Sequence, residues 1–357
     1  MQATTLLVRS FRNLADVVLA LPPEGVALVG PNGHGKTNLL EALAYPVLFR
    51  SVRGAADREI GHFGGPGFHV AVTLADGSEI ATTWNAAAQR KRIVVDGVEQ
   101  ATLTGSLGRW LAVAFLPTDL ALVQGGAAER RRWLDRMLSL ADRAYLDALL
   151  RYRAALAQRN AALRTGDGRA AEAFDGPLAK SGAEVVGRRL SWARDSGAPW
   201  QAELAALGER AVMGMRYRSD EALVDPTTWS AKLAGARTRD LARGQTHVGP
   251  HRDDLVLQLG GHTLRDYGSS GQQRSAAIAL RLLELETLAD ARGVRPALLV
   301  DDVFAALDAT RQARLAGRLI SRPGQRIVTA PRIEDLPREL VLPRWQVQDG
   351  TVTVVAP

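Results

Sequence analysis

Short apolar runs broken by Gly, Asp and Pro fill the first hundred residues, and they predict strands. Leu6–Val8, Val17–Leu21 and Val26–Val29 come first. Val70–Leu74 and Ile80–Trp84 flank Asp76-Gly77, and Ile93–Val95 and Val98–Leu103 flank Asp96-Gly97. An Asp-Gly pair between two such runs signals a hairpin. From about Ser106 to Leu241 the texture is helical, with apolar positions such as Leu134, Leu138, Tyr145, Leu149, Tyr152 and Leu156. Breaks are predicted at Thr165–Gly168 and Asp195–Pro199, leaving stretches too short for an extended coiled coil. Strand texture returns at Leu255–Leu259, a helix is predicted from Gln272 to about Ala291, and Ala297–Val300, Arg326–Thr329 and Trp345–Val354 supply the last strands. The simplest architecture is an α/β head with a mixed sheet built from residues 1–105 and 246–357, carrying an inserted helical lobe at 106–245.

One loop in this pattern carries chemistry. Gly30-Pro31-Asn32-Gly33-His34-Gly35-Lys36-Thr37 follows the predicted strand Val26–Val29 and precedes Leu39, Leu40, Leu43 and Ala44 at helical spacing. Strand, glycine loop and helix are the context of a phosphate-binding loop. Its N–H groups and the helix start can wrap a polyphosphate. Lys36 would reach the β- and γ-phosphates of ATP, and the Thr37 hydroxyl would ligate Mg²⁺. A Gly-rich turn that happens to end in Lys-Thr is the competing explanation, which the flanking pattern disfavours.

Composition narrows the class. The 357 residues are 46% hydrophobic with no cysteine, so disulfides and thiolate metal sites are excluded, and six scattered histidines do not suggest a zinc site. The start, Met1–Thr5, lacks a secretion-signal layout, and no apolar run approaches the roughly 18 residues of a membrane span. A cytoplasmic, nucleoid-associated protein without a membrane partner is expected. The net charge of +7 points to an anionic partner, DNA first. Nine arginines lie between Arg130 and Arg164, opposed only by Asp135, Asp142 and Asp147. That segment is either a nucleic-acid surface or a solvated helix face with loose ion pairs.

Asp301-Asp302 ends the apolar run from Ala297. In phosphate-loop ATPases a carboxylate here holds Mg²⁺, so Asp301 is a candidate metal ligand, and Asp302 would polarise the attacking water. Two adjacent carboxylates repel unless a cation is near. Lys36 and Mg²⁺ would supply one. The alternative is an N-capping aspartate pair. Ser269, Gly271 and Gln272 belong to Gly268-Ser269-Ser270-Gly271-Gln272-Gln273, which resembles the signature loop of ABC ATPases. That resemblance implies contact with the γ-phosphate bound by a second subunit, with the following helix aiming its positive end there. Ala306-Leu307-Asp308 resembles the D-loop on the same dimer seam.

Val8–Leu14 looks like the opening of chromosome-maintenance and double-strand-break-repair ABC ATPases. Arg50–Ala55, Phe115–Leu120, Arg130–Asp135 and above all Thr246–Asp254 narrow this to one branch. Together with Ser269–Gln273 and Asp301–Asp308 they resemble, in order and over almost the whole chain, the bacterial RecF family of recombination mediators. The resemblance implies a slow, DNA-stimulated ATPase with an ABC-type head and a short helical lobe. It also implies an ATP-dependent homodimer on double-stranded and gapped DNA. Partners would be the RecO and RecR mediators, in loading RecA recombinase during gap repair, the SOS response and replication-fork recovery. Gln124-Gly125 lies where related ATPases place a Mg²⁺-sensing glutamine, which makes Gln124 a further metal candidate. No switch histidine follows Arg326–Thr329; Thr329 stands near its position. His247 and His251 are four apart, but Gly249-Pro250 between them forbids a regular helix, so they are read as a turn packed beside the head. A transporter-type ATPase subunit and a nucleotide-regulated protein scaffold are the alternative functions. Retention on membrane domains rather than on DNA would favour the first, and Asp302→Asn, which should trap an ATP-bound, DNA-bound dimer if ATP is a switch, separates these ideas.

Overall fold

The structure is a computed structural model and describes residues 1–355. The chain forms two compact units. The first comprises residues 1–119, 206–208 and those from 284 onward; the second comprises 120–205 and 209–283.

Two six-stranded sheets make the first unit. One is antiparallel throughout, in the order Val17–Ala20, Ala3–Arg9, Gly67–Leu74, Glu79–Asn85, Arg90–Val95, Val98–Glu99. The other runs Thr351–Val355, Arg344–Gln348, Gly25–Val29, Arg326–Ala330, Ala297–Asp301, Ala112–Phe115. It is parallel except for the hairpin at 344–355. The helix Lys36–Leu48 packs on strands of both sheets. It therefore buries residues all round, including Leu39, Leu40, Leu43 and Tyr45. Tyr45 joins Phe11 and Phe68 in an edge-to-face cluster with centroids 5.2–6.2 Å apart.

The second unit is mainly helical. Its principal helices are Ala127–Ala141, Arg143–Arg164, Asp175–Ala206, Pro226–Arg243 and the first part of Ser270–Arg292. A small antiparallel sheet accompanies them, ordered His262–Thr263, Asp254–Leu259, Met213–Arg218. No pair of helices extends as a long coiled coil among the described residues.

Several expectations are corrected. The segment 106–241 is not uniformly helical: it contains the strands Ala112–Phe115 and Met213–Arg218. The first completes the parallel sheet, so the compact unit runs to residue 119. The second pairs with Asp254–Leu259, which draws residues 246–283 into the helical unit. The run Val98–Leu103 is a strand only over Val98–Glu99, and Leu103 opens a short helix. Asp195–Pro199 is no break, because it lies inside the 32-residue helix Asp175–Ala206. An interior proline costs about 3 kcal/mol. Burial of Leu204 alone is worth about 1.5–3 kcal/mol, and Trp200, fully buried, adds a larger ring. Tertiary burial therefore outweighs the local signal.

Candidate nucleotide site

The loop at residues 30–37 leaves the strand Gly25–Val29 and enters the helix Lys36–Leu48 through Gly35, at φ +111°. No side chain caps this helix start, so its first N–H groups are free for an anion. Lys36 Nζ donates to the carbonyls of Gly30 (2.5 Å) and Pro31 (2.8 Å). Burial holds its pKa below the ordinary lysine value, against the opposing pull of Asp302 and Asp301. The Thr37 hydroxyl lies 2.9 and 3.0 Å from the two oxygens of Asp301.

Thr329, at the end of the neighbouring strand, organises both carboxylates. Its hydroxyl donates to Asp301 Oδ1 (2.9 Å) and accepts the N–H of Asp302 (2.9 Å). Asp302 sits in the left-handed region at φ +49°. Burial first, then Asp301, raises its pKa above the usual carboxylate value, and Lys36 opposes the shift. A cleft of ≈ 360 Å³ is lined by the loop from Asn32 to Asn38 together with Arg53, Pro117, Asp301, Asp302 and Thr329. Local spacing pointed to the two aspartates. Thr329 stood near an expected switch position in the sequence, but its bridging role arises from strand register.

Mg²⁺ fits this donor set. Its oxygen ligands lie at about 2.0–2.1 Å in an octahedron, which places neighbouring ligands about 3 Å apart, the separation of Thr37 Oγ1 from Asp301. No group of three His, Asp or Glu side chains among the described residues is placed to hold a metal alone. The remaining ligands would be phosphate oxygens and water, the usual arrangement for this ion.

The loop is braced from both sides. Asn13 Nδ2 donates to Gly33 O (3.3 Å), Asn38 Nδ2 to Asn13 Oδ1 (2.7 Å), and Arg53 Nη1 to Asn38 Oδ1 (3.0 Å). At the tip, His34 O accepts the N–H of Gly350 (3.0 Å), and His34 Nδ1 accepts that of Asp349 (3.1 Å). The turn of the hairpin at 344–355 therefore holds the loop. Ser269 lies in the helical unit, where it opens the helix Ser270–Arg292 with a reciprocal cap. Its N–H donates to Gln272 Oε1 (2.9 Å), and Ser269 Oγ accepts the N–H of Gln272 (3.3 Å). The buried Gln273 amide donates to the carbonyls of Arg265 (2.8 Å) and Gly268 (3.0 Å), fixing the turn before Ser269. Gln124, in the same unit, donates to Gln273 Oε1 at 2.7 Å.

The chain is similar to curated proteins named DNA replication and repair protein RecF. That of Frankia alni is 37% identical over 99% of both chains, and that of an Anaeromyxobacter species 38% identical over 92% of both. The chain belongs to the RecF family. No family model matches it. Among solved structures, one described as the recombination mediator protein RecF with ATP, in the RecFOR pathway, superposes with a TM-score of 0.90 at 29% identity. The alignment covers 99% of this chain and 98% of that one. An SMC head domain superposes at a TM-score of 0.57 with 16% identity, a likeness of fold alone.

The RecF-like motifs prove to be partners of one another. Arg12 grips the buried Glu41 with two bonds (2.9 and 2.8 Å), and Ser51 and Arg53 reach the same carboxylate. Two separate motifs thus hold the helix that follows the phosphate loop. Within the helical unit Arg130 binds both oxygens of Asp254 (2.7 and 2.9 Å). Arg159, with no exposed surface, binds Asp175 (2.7 Å), Asp240 (2.8 Å) and Thr246 Oγ1 (2.8 Å). Tyr152 bonds His251 Nδ1 (2.5 Å), while His251 Nε2 faces Thr246 O at 3.0 Å. The turn carrying His247 and His251 is therefore built into the helical unit. The cause is the pairing of Asp254–Leu259 with Met213–Arg218. The arginine run is likewise no uniform basic face. Arg159 and Arg130 are internal ties, and Arg132, Arg143, Arg151 and Arg153 pair with carboxylates.

Proposed function

We propose that this protein is an ATP-dependent DNA-binding recombination mediator, as RecF-family membership suggests. The observation that carries the ATP reading is the convergence of Thr37 with Asp301 beside Lys36. Lys36 would exchange its loop carbonyls for phosphate oxygens. Thr37 and Asp301 would hold Mg²⁺, and Asp302 would orient the attacking water. When bound, Mg²⁺ would neutralise charge on the phosphates. Ser269, Gly271 and Gln272 would present a helix N-terminus to the nucleotide of a second copy, so that ATP closes a dimer. The Mg²⁺-sensing role of Gln124 belongs to the same proposal.

Charge distribution supports a DNA partner. The helical unit holds 25 Lys and Arg against 18 Asp and Glu, whereas the other unit holds 20 of each. All +7 of the net charge therefore lies in the helical unit. Binding should rest on phosphate contacts, weaken steeply with salt and show little sequence preference. The test is sedimentation with and without ATP, paired with a salt-dependent titration of gapped and blunt duplexes. The proposal requires an ATP-dependent dimer with tighter DNA binding. A monomer in saturating ATP overturns the composite site. Lys36→Arg keeps the charge but misplaces it, so nucleotide binding should survive while turnover is lost.

A further inference from the structure

In the helical unit the strand Met213–Arg218 is an edge strand, with Asp254–Leu259 as its single neighbour. The N–H of Met213 donates to Gln201 Oε1 at 2.9 Å, so Met213 turns its backbone away from the ladder. Backbone direction alternates along an antiparallel strand, so Met215 and Tyr217 turn the same way. Among the described residues no hydrogen bond takes the main-chain N–H or C=O of either. Along this edge a cleft of ≈ 540 Å³ separates the strand from the Gly187–Arg194 part of the helix Asp175–Ala206. Leu190, Ala193 and Val224 give its walls an apolar character; Arg194 and Arg216 bring two cations against one carboxylate, Glu221. Arg216 is exposed and has no ion-pair partner among the described residues. Arg194 reaches only the exposed Asp195, at 3.5 Å, and Ser191.

We propose that this groove docks an extended acidic segment of a partner protein, which adds to the sheet as a fourth strand. Met215 and Tyr217 supply two N–H and two C=O groups, the alternating row that strand addition requires. The helix wall from 187 to 194 is about 10 Å long, the length of about three extended residues, and matches the stretch 215–217. Alternate side chains of the guest would meet the apolar wall, and its carboxylates would meet Arg194 and Arg216. Charge complementarity selects an acidic guest over a basic one. The unpaired amide row selects a peptide over a nucleic acid, which could use only the two arginines.

The test uses the full-length protein and a fluorescein-labelled peptide of alternating aspartate and valine, followed by anisotropy. Saturable binding is expected, weakened at least about tenfold by Arg216→Glu and restored in that variant by a lysine–valine peptide. Met215→Pro removes an edge donor that faces away from the ladder, a position where proline is tolerated, and should weaken binding similarly with an unchanged melting temperature. Should that variant fail to fold, peptides methylated on alternate amides decide: one of the two registers must lose binding. The proposal is overturned by no saturable binding, by equal affinity for both methylated peptides and the parent, by indifference to Arg216→Glu, or by binding of a single-stranded oligonucleotide in place of the peptide. A nucleotide-free dimer dissolved by Met215→Pro would assign the edge to a second copy and also overturn it.

Discussion

Replacing Gly30 with alanine tests how tightly the phosphate loop is seated. A Cβ at residue 30 would lie 2.0 Å from the carbonyl oxygen of Val347, where Cβ contacts below 3.0 Å essentially do not occur. One partner must retreat by about 1 Å. Val347 is paired with Val352 on one side and directly follows Gln346, which is paired with Val29 on the other, so the strand resists movement of its carbonyl. The loop must yield. Because Lys36 Nζ is bonded to Gly30 O, the displacement passes to the lysine. Overpacking of this kind costs about 1–3 kcal/mol of stability, and a 1 Å misplacement of a reacting group costs about 10²-fold in rate. Gly30→Ala should therefore melt at a lower temperature and lose about two orders of magnitude in single-turnover ATP hydrolysis. Gly33→Ala is the comparison: its Cβ would meet nothing within 4 Å, although φ is +86°. It carries only the left-handed backbone cost, about 1–2 kcal/mol. Wild-type turnover by Gly30→Ala would refute the close-approach argument.

Asp302→Asn should abolish hydrolysis and trap the ATP-bound dimer on DNA, as read by nucleotide release and sedimentation; loss of both dimer and DNA binding would indicate a folding role instead. The same variant should melt higher than wild type without nucleotide. A carboxyl whose folded pKa is raised contributes stability below its unfolded value and loses it as pH rises through the folded one, so at neutral pH charged Asp302 opposes folding. Arg159→Leu leaves the buried Asp240 with only His247 beside it and Asp175 with Arg237 alone, and a loss of about 3–5 kcal/mol is expected in urea denaturation. His251 is pushed down to about 4, mainly by burial. Its contribution is complete above the unfolded value near 6.5 and is lost as pH falls towards 4, at most about 3 kcal/mol. The stability difference between wild type and His251→Asn should shrink across that window, and a constant difference would count against a neutral buried imidazole.

The parts of the candidate nucleotide site were largely legible because they are local. A strand, a glycine loop and Lys36-Thr37 are contiguous, and Asp301-Asp302 ends an unmistakable apolar run. Ala112–Phe115 was hidden because two of its four residues are alanines, poor strand formers, set in an alanine-rich stretch. Its strand character comes from pairing with Ala297–Val300. Pro199 misled because proline breaks helices in general, whereas here Trp200 and Leu204 are buried around it. Glu41 and Arg159 carried no warning. Their importance lies in partners such as Arg12 and Thr246, far away in sequence, so only the folded chain identifies them.

The bonds from Gly350 and Asp349 to His34 bear on the order in which the protein is made. Residues 30–37 are synthesised early, but the strand before them is flanked by Arg326–Ala330 and Arg344–Gln348, both made late. At typical translation speeds the loop waits roughly 15–60 s for these neighbours. A nascent or prematurely ended chain would carry every residue of the phosphate loop and still lack its seat. Nucleotide capture would then report that synthesis has passed the hairpin at 344–355.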